Sequence, residues 1–438
     1  MKKARLDGLY LLLLGSLVFL LLGTALERTF SVPMVDFKPV YFAARCLIQN
    51  RDPYMESELL RISQTEGASG TPETAKVREV TTWYIYLPTS FAITVPIALL
   101  PWGPAHTVWL LLILGSMLVA SSLIWNIGAD CAPIVCGVMI GFFLANSEVI
   151  LVLGNAAGIA VGLCVIAVCC LVCERCVAAG IFCLAVSLVL KPQDAGLVWL
   201  YFLLAGGVYR KRALQSLLIT AALCLPVVLW VWHVAPHWFA EWQSNISAFS
   251  ARGGNNDPGP ASTGGHGLGM LVNLQAVISL IRDDPRIYNP VSYAICAPLL
   301  TIWVIVTLRY RGTRANAWLG LAPIAALTML PVYHHLYDAK LLLLTVPACA
   351  MLWAGRGVIG WLALLLNAAG FVLTGDLPWA GFLFLIHKLR LPTTGLSGEL
   401  LTGLQVLPAP LILLAMGTFY LWVYARQSPN LDIERGRV

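Results

Sequence analysis

The feature that most limits what this chain can fold into is a succession of apolar runs, each near the length of a bilayer crossing. The first, Leu9 to Leu26, carries no charged residue and as a helix extends about 27 Å at roughly 1.5 Å per residue. Hydrocarbon offers backbone N–H and C=O groups no partners, so a spanning segment must satisfy them itself, and a helix does so within one run. Similar runs follow near residues 83–101, 105–127, 131–152, 156–173, 176–190 and 193–208, then near 213–233, 288–308, 316–332, 339–354, 358–374 and 403–425. Only 11% of the 438 residues are charged, against about 25% in a soluble domain. The expectation is an all-α polytopic membrane protein, a single membrane-embedded domain over 1–438 with about 12 transmembrane helices.

Lys2, Lys3 and Arg5 before the first run resemble the start of a signal peptide. The run is long, however, and Glu27, Arg28 and Thr29 follow it in place of a small-residue cleavage site, so it is expected to remain as the first membrane helix. Arg210, Lys211 and Arg212, then Arg309, Arg311 and Arg314, Arg356 and Arg426 have little acid beside them and mark the cytoplasmic side. That orientation puts four segments outside: the first outer loop 27–82 with its surface helices, the second large outer loop 234–287, the short 333–338 and the late outer loop 375–402. Between residues 83 and 208 there are more apolar runs than parity allows crossings, so one run is re-entrant, interfacial or half of a broken helix. The runs 176–190 and 193–208, interrupted by Lys191-Pro192, are the weakest spans by composition.

Several chemistries are unsupported. No Gly-Lys-Ser or Gly-Lys-Thr loop and no dinucleotide fingerprint is present, which removes soluble nucleotide-sugar chemistry. The net charge of +6 is spread as topology signals, leaving no basic face for nucleic acid. Cys131, Cys136, Cys164, Cys169, Cys170, Cys173, Cys176 and Cys183 fall in one apolar tract and are read as small packing residues. The Cys169-Cys170-x-x-Cys173 run has no histidine near it, so no zinc site is expected.

Polar side chains concentrate in the outer segments. Stretches near Val40–Gln49 and Glu56–Gln64 are too short and polar to cross, and are expected at the membrane surface. In the first, Tyr41, Ala44 and Leu47 share one face while Arg45 lies on another, giving a polar face that can line a cavity. Asp36 precedes this helix near headgroup depth. It either caps the helix and pairs with Lys38, or acts as a general base that takes the proton from an attacking hydroxyl.

The stretch Asp36-Phe37-x-x-x-Tyr41-x-Ala43-Ala44, followed by Asp52-Pro53-Tyr54 and Tyr86-x-Pro88, resembles the opening of the family 87 glycosyltransferases. Further on, Gly154-Asn155 stands where that family often has Gly-Gln, Leu190-Lys191-Pro192 matches its Lys-Pro element, and Tyr333 to Asp338 resembles its late outer-facing aromatic-acid segment. The Gly-Asn pair and the Pro-Gly-rich stretch 253–269 depart from the pattern. The resemblance implies the C-type glycosyltransferase fold, with outer-side juxtamembrane helices. It implies transfer of a sugar from a polyprenyl-phosphate-linked donor to a lipid or glycan acceptor, with Asp36 as catalytic base, at the outer face of a bacterial inner (plasma) membrane. Such a donor has a tail in the bilayer, an anionic phosphate at the interface and a sugar in water. Lys38, Arg45, Lys191, His334, His335 and Lys340 are the candidates to meet it, with Tyr41, Tyr337 and Asp338 beside them. Lys191 is favoured because a helix broken at Lys191-Pro192 exposes backbone donors to an anion; pairing with Asp194 is its alternative role. The adjacent His334 and His335 point in different directions on a helix and make a poor metal pair. No cofactor is expected. A divalent ion between Asp36 and Asp338 is not favoured, because cationic side chains can neutralise a leaving phosphate without one.

The residues alone leave other classes open. One is a secondary transporter or flippase of a lipid-linked or small polar substrate, although no internal repeat is evident; another is a non-catalytic scaffold bound to membrane lipids. The segment Ala251–Gly269 is too glycine-rich for regular structure and is expected to be mobile without ligand, as an acceptor-gating lid or a passive linker.

Overall fold

The computed structural model describes residues 2–30, 32–66, 81–261, 270–310, 314–390 and 395–426. Among these residues the regular structure is helical and no strand forms; one isolated antiparallel bridge pairs Leu271 with His335. Six helices are long and apolar enough to cross a membrane: Lys2–Thr29, Trp102–Gly128, Pro133–Leu153, Gly207–Val234, Pro285–Arg309 and Leu400–Arg426. Val358–Leu373 and Asp376–Lys388, bent by 55° at their junction, make a seventh if taken as one span. Pro88–Ala98, Ala157–Val172, Val177–Leu190 and Ala317–Leu327 are apolar but shorter. The chain is an all-α polytopic membrane protein.

Helix length follows position. In Gly207–Val234 only 11% of the most apolar window is buried, and Leu214, Leu217, Leu218, Leu225 and Leu229 face outward. In Pro133–Leu153 the buried share is 72%, and Ala157–Val172 is enclosed over most of its length. A helix surrounded by protein needs no full bilayer length, because its end groups meet other chain segments instead of lipid. Glycines let the first helix approach closely: a methyl group at Gly15 would lie 2.1 Å from the Gly141 carbonyl oxygen, and one at Gly137 2.2 Å from that of Gly8. Small-residue contact of this kind substitutes for hydrophobic drive inside lipid.

The ends of the helices sort into two groups. At one end Ala4, Cys131 and Arg356 line a common hollow, Arg5 pairs with Asp130 at 3.0 Å, and Arg212 donates to the Leu171 carbonyl at 2.9 Å and meets Glu174 at 3.2 Å. At the other end Asp36, Asn155, Lys191 and Tyr333 share a second hollow. The run 83–101 can be placed against these two groups. The Ala98 and Leu100 carbonyls accept from Arg45 and Tyr41, Trp102 stacks on Phe37, and Thr89 donates to the Val189 carbonyl, so this run starts and finishes at one end. Val177–Leu190 and Pro192–Ala205 each run between the two ends, and their junction is a single extended residue, Lys191. The Lys-Pro break between them sits at the polar end.

Two expectations about the outer segments change. The helix expected at Val40–Gln49 is Phe37–Ile48, and it buries Phe37, Val40, Tyr41, Phe42, Cys46 and Leu47 together instead of lying half-exposed. Helix Glu56–Glu66 covers one side of it and Phe91–Ala98 the other. The late segment 375–402 contains the helix Asp376–Lys388 in place of a plain loop. Of the glycine-rich stretch, Ala251–Ala261 is folded as turns, and 262–269 lies outside the described residues.

Candidate active site

The hollow is built on two backbone breaks. The short helix Val149–Leu153 ends at Gly154, whose φ of +64° is the left-handed turn that glycine adopts without strain. A methyl group there would also meet the Met34 sulfur at 2.2 Å. The turn frees the Val152 and Leu153 carbonyls to accept from the backbone N–H groups of Met34 (2.8 Å) and Asp36 (2.9 Å), and Trp109 Nε1 donates to the Gly154 carbonyl at 2.7 Å. Phe37 stacks on Trp109 with ring centroids 4.4 Å apart. The Gly154-Asn155 pair thus fixes the height and direction of Asp36.

Asp36 occupies the N-cap position of Phe37–Ile48, yet its side chain makes no capping hydrogen bond. Its Oδ2 instead accepts from Asn155 Nδ2 at 2.7 Å, and the residue lines the hollow. Burial pushes its carboxyl up to about 6, against the lowering effects of the Asn155 amide and the Lys191 charge.

The second break is Lys191, with Pro192 opening the next helix. Its ammonium donates to Asp338 Oδ1 and lies 3.7 Å from Asp194 Oδ2 and 5.3 Å from the centre of the Tyr337 ring. Asp338 Oδ2 accepts from the His335 backbone N–H at 2.9 Å, so both oxygens of Asp338 are engaged. The two histidines separate: His334 Nε2 contacts Asp194 Oδ1 at 3.2 Å in the interior, whereas His335 lines the hollow and stacks on Tyr337 at 5.0 Å.

Aromatic rings and amides complete the wall. Trp83, Tyr86, Phe249 and Tyr333 face it, together with Asn255 and Asn256 from the segment after helix Trp238–Phe249. The early motifs act here through positioning. Asp52 closes a turn by accepting from the Tyr54 N–H at 2.9 Å, and Tyr54 then donates to the Tyr86 carbonyl at 2.9 Å. The hollow encloses about 530 Å³ of atom-free space, including what opens to solvent. The hollow at Ala4 and Arg356 is larger, about 1070 Å³, but no acidic residue lines it, so it offers no base.

Of the residues singled out by sequence, Asp36, Lys191, His335 and Tyr337 line this hollow, with Asp338 bound to Lys191 behind them. Tyr41 and Arg45 point elsewhere: the Tyr41 hydroxyl donates to the Leu100 carbonyl at 3.0 Å, and Arg45 binds Glu66 at 2.5 and 2.8 Å. Lys340 is turned away towards Asn146 and Asp376, and His334 towards Asp194. Lys38 is half-buried and does not line the hollow. Sequence reading missed Trp83, Phe249, Asn255 and Asn256 as site residues; Tyr86 and Asn155 were within motifs but had no role. Among the described residues no three His, Cys, Asp or Glu side chains converge as metal ligands.

No curated protein matches this chain, and no solved structure does. A family model described as glycosyltransferase family 87 matches residues 84–333, more than half of the chain and most of the wall just described. With helices suited to crossing a membrane, a polar hollow at one end of them and this match, the chain belongs to glycosyltransferase family 87 and is a membrane glycosyltransferase.

Proposed function

We propose that the protein moves a sugar from a polyprenyl-phosphate-linked donor to a lipid or glycan acceptor, with Asp36 as general base. The observation that carries this reading is the state of Asp36: a carboxylate that could cap a helix does not, is oriented by Asn155, faces the hollow and has its pKa raised to about 6 by burial. A base with a pKa near working pH is matched to proton removal. In the reaction, Asp36 takes the proton of an acceptor hydroxyl as that oxygen bonds to the anomeric carbon. The bond from that carbon to the phosphate oxygen breaks, and the polyprenyl phosphate leaves with the electron pair.

Lys191 is the lysine on the hollow wall and already balances buried acid through Asp338 and Asp194, so it meets a phosphate as part of a charged triad and not as a free cation. His335 lines the hollow beside it. The account needs no metal, because charge developing on the phosphate faces these groups.

The same reading includes a C-type glycosyltransferase fold in one membrane-embedded domain, 1–438. It has twelve crossings, with 83–101 as the run that does not cross. Chain direction supports that count: five segments connect the two ends between Trp102 and Ala205, which meets parity. In this reading the hollow faces the periplasmic or exterior side of a bacterial inner membrane, which the basic clusters at the opposite end support. The segments 27–82, 234–287 and 375–402 lie outside.

The test is transfer by purified Asp36→Asn with a polyprenyl-phosphate sugar donor. The variant keeps size and hydrogen bonding but cannot accept the proton, so transfer falls about 100-fold or more, roughly 2.7 kcal/mol, while donor binding stays near normal. Near-parent transfer would remove Asp36 from the base role.

A further inference from the structure

The segment Ser250–Ala261 reads as a glycine-rich linker, yet it is held at several points. Asp257, 3% exposed, accepts from the backbone N–H of Gly253 at 2.7 Å and of Gly259 at 2.8 Å, closing the turn on itself. The Asn256 N–H donates to the Phe249 carbonyl at 2.9 Å, and Ser279 Oγ donates to the Pro258 carbonyl at 2.7 Å. These bonds set Asn255 and Asn256 on the same hollow as Asp36. Asn256 is 7% exposed, and its Oδ1 accepts from His335 Nε2 at 3.2 Å. With the oxygen used in that way, its NH2 makes no hydrogen bond among the described residues while the side chain lines the hollow.

The surroundings define the ligand that fits this amide. Trp83, Tyr86, Phe249, Tyr333 and Tyr337 supply ring faces. Among the described residues the charged groups on the wall are Asp36 and Lys191, and Lys191 is bound to Asp338. Ring faces with a fixed, unspent amide suit a polyhydroxylated sugar ring, whose faces stack and whose hydroxyls accept. We infer that Asn256 is a specificity-determining residue that donates to a hydroxyl of the transferred sugar, and that Asp257 positions Asn256 by folding the turn. This rests on the reading of the hollow as the sugar-transfer site and assigns the sugar-facing side of it.

The test is binding by the full-length protein in lipid nanodiscs, separate from transfer. The probes are farnesyl phosphate alone and farnesyl phosphate carrying mannose, glucose, galactose or glucuronic acid. The readout is the affinity gained over the bare phosphate within each variant, so general effects on phosphate binding cancel. The parent is expected to bind one sugar-bearing probe about tenfold more tightly than the bare phosphate, as for one well-made hydrogen bond. Asn256→Ala abolishes that gain. Asn256→Asp, which keeps shape and an oxygen for His335 but has no NH2, abolishes it too. A merely structural Asn256 predicts that the Asp variant retains the gain. The inference is overturned if the gain survives in either variant, or if no sugar-bearing probe exceeds the bare phosphate in the parent. Active Asp36→Asn protein would sink the base assignment and leave these ratios standing, so the two failures are distinguishable.

Discussion

Two buried polar clusters lie within a few residues of each other along the chain and end with opposite characters. Both use the stretch from Asn146 to Asn155 and the turn from His335 to Lys340. In the first, Asp36, Asn155, Lys191 and His335 border an open hollow. In the second, Lys340 donates to the Asn146 carbonyl at 2.8 Å and to that of Thr374 at 3.4 Å, and meets Asp376 Oδ1 at 3.3 Å. Asp376 Oδ2 then accepts from the Val149 N–H at 2.8 Å, tying down the start of the short helix that leads to Gly154-Asn155. Lys340 and Asp338 are two residues apart with similar local sequence, yet Lys340 spends its donors on protein. The difference teaches that polar density at a helix junction marks a place where charge is tolerated; only access to open space separates a substrate group from a strut.

The variant expected to have the largest effect tests the strut. Lys340→Ala leaves Asp376 buried without its cation and should destabilise the protein by about 3 to 5 kcal/mol, read as lost folded yield or a lower unfolding midpoint in detergent. Replacing the pair together, Lys340→Met with Asp376→Leu, should recover most of that stability and much of the transfer. Recovery of fold without transfer would instead place Lys340 among the substrate contacts and erase the contrast.

Next is Lys191, where the contrast predicts the reverse pattern. Lys191→Met with Asp338→Leu and Asp194→Asn, which removes both acids that Lys191 balances, should recover folding, since neutral groups can replace a buried ion cluster. Transfer should stay down by about 30- to 1000-fold, roughly 2 to 4 kcal/mol, for want of charge beside the leaving phosphate. Equal transfer in this triple variant and the parent would reduce Lys191 to a second strut. The smallest effect belongs to Arg45, whose pair with Glu66 is about a quarter exposed on both sides. Arg45→Gln should change stability by less than about 1 kcal/mol and transfer by less than about threefold; a larger loss of transfer would show that the donor reaches this helix face.

The helical membrane architecture was legible because composition and run length act locally. So were the motif segments around Asp36, Gly154, Lys191 and Tyr333, which the fold gathers at one end. What sequence could not give was the partner of each charge. Lys340 meets Asp376 through a bend and Asn146 across nearly two hundred residues, and no local spacing announces either contact. Arg45 likewise finds Glu66 on the next helix, although both were visible as polar residues. Which run between 83 and 208 does not cross stayed open, with those around Lys191 the weakest, because hydropathy registers a break but not where the broken ends go. Asn255 and Asn256 were hidden by their glycine-rich setting, although Asn-Asn-Asp-Pro-Gly is itself a turn signal, and Asp257 with its two backbone donors is what that signal produces.

The central claim is that Asp36 removes the acceptor proton, and its most direct test is the pH dependence of kcat/KM for transfer in the parent and in Asp36→Asn. A base must be ionised to act, and burial raises the pKa of Asp36 to about 6, with Lys191 and Asp338 as the other charges acting on it. The parent should therefore lose activity about tenfold per pH unit below about 6 and level off above it. The Asp36→Asn profile should lie about 100-fold or more lower and show no inflection there. The same inflection in both proteins, or an Asn variant at parent level on the plateau, would contradict the account.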